Sequence, residues 1–244
     1  MNSPEIEAAN PDLCRKDDRN SRDIVLDMSL ITFPDTLETG QPAATIRWAA
    51  EQFGVDGLVV TASFEDAVLV HVAATAVPGI EIVLLDTQYL FAETKWLVDE
   101  LTKKLDLNLR VVHPLPNVQP DNLWKTNMEG CCAIRKVEPL NRSLEGKRAW
   151  VTGVRRADGP TRASAPVGSY DIGRNIVKLN PLAAYTDDEM ALYAQLHELP
   201  ANPLTERGYP SIGCWPCTRA VAPGEDKRGG RWAGSAKTEC GLHG

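Results

Sequence analysis

Six cysteines carry most of the reactive chemistry in this 244-residue chain. Cys214 and Cys217 stand at a Cys-x-x-Cys spacing, Cys131 and Cys132 are adjacent, Cys240 is single, and Cys14 reads as an incidental thiol. Two cysteine pairs suggest four thiolates on one centre, which suits zinc or an iron–sulfur cluster, because both accept four sulfur ligands. Structural zinc sites usually use two knuckles with spacers, whereas neighbouring cysteines reach two corners of a cubane more easily than a single ion. A [4Fe–4S] cluster is therefore favoured over zinc, and an unrelated buried pair beside a separate Cys-x-x-Cys stays open. A thioredoxin-like dithiol fits less well, because that motif belongs at a helix start and not in Pro/Gly-rich sequence. Cys240, beside Lys237, Glu239 and His243, reads as a single reactive thiol.

The cations are grouped as well. Arg155, Arg156 and Arg162 share one Gly/Pro-containing stretch, and Arg219, Lys227, Arg228 and Arg231 share another. Two basic loops on a chain of formal charge −7 point to a local anion site, with solvated surface arginines as the alternative. The acidic balance argues against general nucleic-acid binding. The apolar runs Leu58–Ala62 and Ile80–Leu85 are of strand length and too short to span a membrane, and the first residues lack the basic and apolar regions of a signal peptide. The expectation is a cytoplasmic protein whose cysteines serve metal binding or catalysis.

The elements that must hold these residues follow from periodicity. Residues 1–40 read as a polar N-terminal arm ending in a short helix, 41–205 as a nucleotide-binding α/β core, and 206–244 as a cluster-binding segment with a catalytic tail. Helical spacing from Thr45 stops at Gly54. Strands are expected at 57–64, 80–85, 109–112, 148–154 and from Ile176, and helices follow Ser63, run from about Glu93 to Leu105, and run from Thr186 to His197. Ser63 with Asp66, and Thr186 with Glu189, have capping-box spacing. Strand and helix alternate at the rhythm of a mostly parallel sheet flanked by helices. In such sheets ligands bind beyond the carboxyl ends of the strands, so Ser63–Asp66 and Asp86-Thr87 are pocket loops. Glu65 and Asp66 would repel an anion unless they point away. His71, His113 and His197 read as structural, and Trp215 and Trp232 as contacts of the cluster or the tail.

Four motifs occur in order: Cys-Cys-x-x-Arg-Lys-x-x-Pro-Leu at 131–140, Gly-Cys-x-Pro-Cys-Thr-Arg at 213–219, Arg-x-x-Arg-Trp at 228–232 and Glu-Cys-Gly-Leu-His at 239–243. Together they resemble the assimilatory adenylyl-sulfate (adenosine 5′-phosphosulfate) reductases over nearly the whole chain beyond residue 40. The resemblance implies a Rossmann-like, PP-loop-type core and a thioredoxin-dependent reductase that releases sulfite and AMP. It implies Cys240 as nucleophile forming an S-sulfocysteine, one [4Fe–4S] cluster on Cys131, Cys132, Cys214 and Cys217, and a mobile tail. Ser63, Asp86, Lys136, Arg162, Arg228 and Arg231 are assigned to the substrate, with Ser63 and Asp86 on its nucleotide side. Order is expected to about Trp215 and mobility after it, hinged at Gly229, Gly230 and Gly234. Reductases of the 3′-phosphorylated nucleotide keep the tail motif but lack the cluster cysteines, so all four favour adenylyl sulfate. The PP-loop signature is altered: Ser63-Phe64-Glu65-Asp66 lacks its glycines, which counts against ATP splitting. Asp86-Thr87-Gln88 likewise replaces an Asp-Thr-Gly. The other readings are a reductase of 3′-phosphoadenylyl sulfate and a non-catalytic iron–sulfur or zinc redox sensor. The sequence leaves a homo-oligomer open.

Overall fold

A computed structural model describes residues 31–235 and 237–243; Cys14 and most of the N-terminal arm lie outside them. The short helix α1 (Thr36–Thr39) precedes α2 (Pro42–Phe53), which begins on a proline at its first turn and stops at Gly54 with φ 71°. The strands are β1 (Leu58–Thr61), β2 (Glu81–Leu85), β3 (Asn108–Val112), β4 (Ala149–Val151), β5 (Gly168–Asp171) and β6 (Ile176–Leu179). Between them lie α3 (Val68–Ala76), α4 (Ala92–Leu105), α5 (Leu123–Thr126), α6 (Met128–Cys132), a π-helical turn at Ala133–Val137, and α7 (Glu138–Leu144). The last helix, α8 (Asp187–Leu196), starts on the expected capping box, with the Glu189 N–H donating to Thr186 Oγ1 at 3.2 Å and the Thr186 N–H to Glu189 Oε2 at 2.8 Å.

The six strands form one sheet in the order β3-β2-β1-β4-β6-β5. Every pair is parallel except β5 with β6, an antiparallel edge that periodicity does not reveal. Strands buried on both faces need no alternation, and Leu58, Val59 and Val60 are all fully buried. The main core packs α2, α3 and α4 on one face through Ile46, Val70, Val72, Leu97 and Leu101. Leu140, Leu144 and Trp150 form a second cluster on Val59 and Val83. Each such side chain contributes roughly 1.5–3 kcal/mol by burial. The chain builds outward from β1 to β3 and then returns to β4 on the other side of β1. The crevice beyond β1 and β4 is therefore the switch point at which open α/β sheets take ligands. Among the described residues no helix is long and apolar enough to cross a membrane.

One local expectation is corrected. The Ser63–Asp66 capping box does not form; α3 starts at Val68, whose N–H donates to Asp66 Oδ1 at 2.8 Å. The reason is Phe64, which takes φ 52° and buries its ring, so residues 62–67 turn as a loop above the sheet. The stretch after Trp215 makes defined contacts in this structure. The Trp232 N–H donates to the Cys217 carbonyl at 2.9 Å, the Arg219 N–H to the Gly230 carbonyl at 3.0 Å, and residues 237–243 lie docked on the core.

Candidate active site

The loops after β1, β2 and β4, together with the chain from Pro210 to His243, enclose a cavity of about 440 Å³. That volume suits a nucleotide-sized ligand. Ser63, Glu65, Lys136, Arg162, Arg228, Arg231, Cys214, Trp232, Cys240 and His243 all border it. Six of the seven residues expected at substrate or reaction are thus brought together. Asp86 is the exception and is not among the lining residues. Its carboxylate accepts the Gln88 N–H at 2.9 Å and pairs with Lys95 at 3.5 Å, while Thr87 lines the cavity in its place. Neighbouring residues leaving a strand end point to opposite sides, and here the choice falls on Thr87.

The basic loops divide by partner. Arg155 is held by Asp158 at 2.9 Å and Asp187 at 2.8 Å, and Arg156 turns away to Glu38 at 2.5 Å. Arg219 pairs with Glu225. Arg162 and Arg228 face the tail and meet Glu239 at 2.8 and 3.3 Å. Arg231 donates to Ser211 Oγ at 3.1 Å and the Ile212 carbonyl at 3.3 Å, while its buried Nε has no partner. His243 also has an unpartnered buried ring nitrogen, Nδ1, and lies flat on Trp150 with ring centres 5.4 Å apart. Burial, with Lys178 and Arg162 adding to it, depresses the His243 imidazole to about 3, so the ring is neutral.

Glu65 does not point away from the cavity as expected of an acid in an anion site. Burial pushes its carboxyl up to about 7, against the pull of Arg231 and the Ile212 N–H, and the part of it open to the cavity tempers that push. A neutral Glu65 repels an anion far less than a carboxylate does.

A second, much smaller cavity is lined by Cys131, Cys132, Cys214 and Cys217 together, with Tyr89, Trp124, Arg135, Lys136 and Trp232 around them. All four thiols are free, and burial raises those of Cys131 and Cys132 and, with the adjoining Cys214 thiol, drives Cys217 to about 11. Two buried donors on this cavity, Arg135 Nε and Trp232 Nε1, have no acceptor. A group carrying negative sulfur would supply acceptors and use all four thiols, so the donor set fits an iron–sulfur cluster. Among the described residues, no three Cys, His, Asp or Glu side chains converge tightly enough to grip one metal ion.

Lys136, Cys214 and Trp232 belong to both cavities and form their common wall. Burial alone would depress the Lys136 ammonium, but the thiols of Cys214, Cys240 and Cys132 outweigh it and raise it. Trp232 is buried, takes φ 48°, and has Arg231, Lys237, Arg228 and Lys136 at 4.6, 5.8, 5.9 and 6.0 Å from its ring centre. The sequence marks Trp232 as a contact of the tail or cluster, Thr87 and Glu65 as members of pocket loops and Glu239 as a neighbour of Cys240, and it assigns none of the last three to the substrate or the reaction.

Comparison with known proteins identifies the family. The domain family described as phosphoadenosine phosphosulfate reductase domain matches residues 57–220. The chain is similar to the adenosine 5′-phosphosulfate reductase of Rhodococcus opacus, 42% identical over 223 residues that cover 85% of this chain and 90% of the relative. It is 45% identical to the protein of that name from Streptomyces coelicolor over 214 residues, again covering 85% and 90%. For the Mycolicibacterium smegmatis protein of the same name the figures are 46% over 204 residues, 81% and 86%. Among solved structures, phosphoadenylyl-sulfate reductase from Candida auris superposes with TM-score 0.66 at 24% identity, over 78% of this chain and 99% of that one. Candida glabrata FMN adenylyltransferase shares the fold, with TM-score 0.55 at 13% identity over 79% and 69%.

Proposed function

Because the chain belongs to the phosphoadenosine phosphosulfate reductase domain family, we propose that it is an adenylyl-sulfate reductase, an oxidoreductase that converts adenosine 5′-phosphosulfate to sulfite and AMP in sulfate assimilation. The relatives at 42–46% identity carry that name. The observation that carries the reading is one cavity bordered by a single cysteine, Cys240, and by Lys136, Arg162, Arg228 and Arg231.

The thiolate of Cys240 attacks the sulfur of adenylyl sulfate. A bond forms between Sγ and that sulfur, the sulfur–oxygen bond to the nucleotide breaks, and AMP leaves with the electron pair. Cys240 is left as S-sulfocysteine. Lys136, Arg162, Arg228 and Arg231 serve the phosphosulfate by supplying positive charge where negative charge develops. Thr87 and Ser63 border the same cavity and take the nucleotide side, with Thr87 replacing Asp86 in that role. A thioredoxin-like dithiol then attacks Sγ of Cys240 and expels sulfite. Its second thiol resolves the mixed disulfide, so the dithiol is oxidised and Cys240 regenerated. The five free thiols among the described residues suit a reducing compartment.

Cys131, Cys132, Cys214 and Cys217 are the residues that would hold one [4Fe–4S] cluster, which when bound supplies structural and electrostatic support while thiols supply the electrons. Lys136 sits between the two cavities and Trp232 separates them, which is where such support reaches the substrate.

Intact-mass measurement after mixing the anaerobically purified chain with adenylyl sulfate and no reductant tests the reading. One SO₃ group is expected on the peptide bearing Cys240, with about four irons per chain. Cys240→Ser takes up none and releases no sulfite with thioredoxin; full turnover by that variant would refute the mechanism. Comparing kcat/KM for adenylyl sulfate and its 3′-phosphorylated form settles which nucleotide is preferred, the first being expected. A chain that binds metal but releases no sulfite would instead be a redox sensor.

A further inference from the structure

Glu239, the residue before Cys240, is held by two arginines that line the cavity. Arg162 reaches it with a fork, Nε to Oε1 at 2.9 Å and a terminal nitrogen to Oε2 at 2.8 Å. Thr161 Oγ1 adds a bond at 3.1 Å and Arg228 one at 3.3 Å. Arg228 also donates to the Thr238 carbonyl at 3.1 Å, so backbone and side chain are gripped together. Burial alone would raise this carboxyl, but Arg162, Arg228 and Thr161 outweigh it and hold it near 2. Other tail contacts flank this grip: Lys237 pairs with Glu129 on α6, Leu242 packs against the Val59, Val83 and Trp150 cluster, and His243 lies on Trp150. Bidentate arginine–carboxylate pairs fix orientation as well as distance.

We propose that Glu239 is a positioning residue for the reaction: clamped by Arg162, Arg228 and Thr161, it seats the adjacent Cys240 thiol at the cavity. This rests on the functional reading above for the identity of the reaction. Arg231, whose Nε has no partner, and Lys136 lie outside the clamp and are free to meet the ligand directly, while Arg162 and Arg228, which also line the cavity, add their charge to it from within the clamp. The opposite arrangement is that Glu239 is an internal competitor, holding guanidinium groups that the phosphosulfate must win. The two differ in the sign of what removing the charge does.

The test uses the anaerobically purified full chain with Glu239→Gln and Glu239→Asp. Amide hydrogen exchange over residues 237–243 reads tail docking, and single-turnover SO₃ transfer to Cys240 across adenylyl sulfate concentrations reads positioning. For Glu239→Gln the tail amides exchange about tenfold faster, the scale of one lost charge-assisted bond set. Its maximal transfer rate falls by about the same factor, its half-saturating concentration does not rise, and the melting temperature is unchanged. Glu239→Asp, which keeps the charge, recovers part of both. Unchanged exchange and rate would overturn the proposal, as would an unchanged maximal rate with a lower half-saturating concentration, the mark of a competitor. If the unsubstituted chain takes up no SO₃ group, the functional reading falls; the exchange arm alone then decides the clamp, acceleration supporting it and no change overturning it.

Discussion

Gly213 stands just before Cys214 in the site, and a methyl group on its Cα would overlap the Arg231 guanidinium. Gly213→Ala must therefore push Arg231 off Ser211 and Ile212. A drop in kcat/KM for adenylyl sulfate of about 10–100-fold is expected, the equivalent of one charge-assisted contact, and steady-state kinetics with unchanged far-UV signal checks it. At this scale the sequence is readable where residue type dictates chemistry. Thiols and arginines have few bland uses in such density, and Cys240, Lys136, Arg162, Arg228 and Arg231 do share a cavity. It is not readable where a residue works against its type. Glu65 lines the cavity although it is an acid, its carboxyl pushed up to about 7 by burial, and Glu239 stands beside the cavity because two of the arginines that line it meet it there. Asp86 and Thr87 differ only in which way a strand end turns, and composition carries no sign of that.

Among the elements, the stretch from Trp124 to Val137 shows why a helical pattern is not a helix. Its sequence has helical character throughout, while the structure breaks it into α5, α6 and a π turn that runs on into α7. A π turn inserts an extra residue, which re-aims the side chains after Cys132. Arg135 on that turn is buried over the Tyr89 ring, donates to the Gln119 carbonyl at 2.8 Å and pairs with Asp121 at 3.1 Å; Gln88 Oε1 accepts as well. Arg135→Met keeps the bulk and loses every polar bond. It is expected to cost about 2–4 kcal/mol in denaturant unfolding and to lower the iron content of purified protein. The same logic explains α3. Its apolar face was visible in sequence, but its start was not, because the left-handed Phe64 overrides the capping spacing of Ser63 and Asp66.

On the scale of the whole molecule, distant segments close on the site. Leu37 of α1 is buried against Val167 and Ala183, while Glu38 accepts from Arg156 and from the Val167 N–H at 2.8 Å. The loop carrying Arg162 is thus braced by residues that sequence assigns to an arm. Leu37→Ala should cost about 2–4 kcal/mol, measured by chemical denaturation. The docked tail carries a pH dependence of definite sign. His243 titrates at 6.5 when free and about 3 when buried on Trp150. Below 6.5 the undocked tail binds a proton that the docked tail excludes, so docking weakens as pH falls from about 6.5 toward 3. Hydrogen exchange of residues 237–243 at pH 5 and 7.5 should reveal the loss, and His243→Phe, which keeps the stack without the titration, should flatten it. The parallel sheet was legible as a class from alternating strands and helices. Its edge was not, since the polar run Gly-Ser-Tyr-Asp of β5 is held by pairing with β6 and not by its own pattern.

Trp232 has one more consequence, an optical one. It is an indole with four cations within 6.0 Å of its ring centre, and it borders both cavities. Excited indole has a larger dipole than the ground state, so its emission energy follows the local electric field. An anion entering the larger cavity offsets part of that field and shifts the emission of Trp232 in particular. The shift on adding AMP should vanish in Trp232→Phe, although five of the six tryptophans remain. The protein then contains its own voltmeter at the place where charge is exchanged.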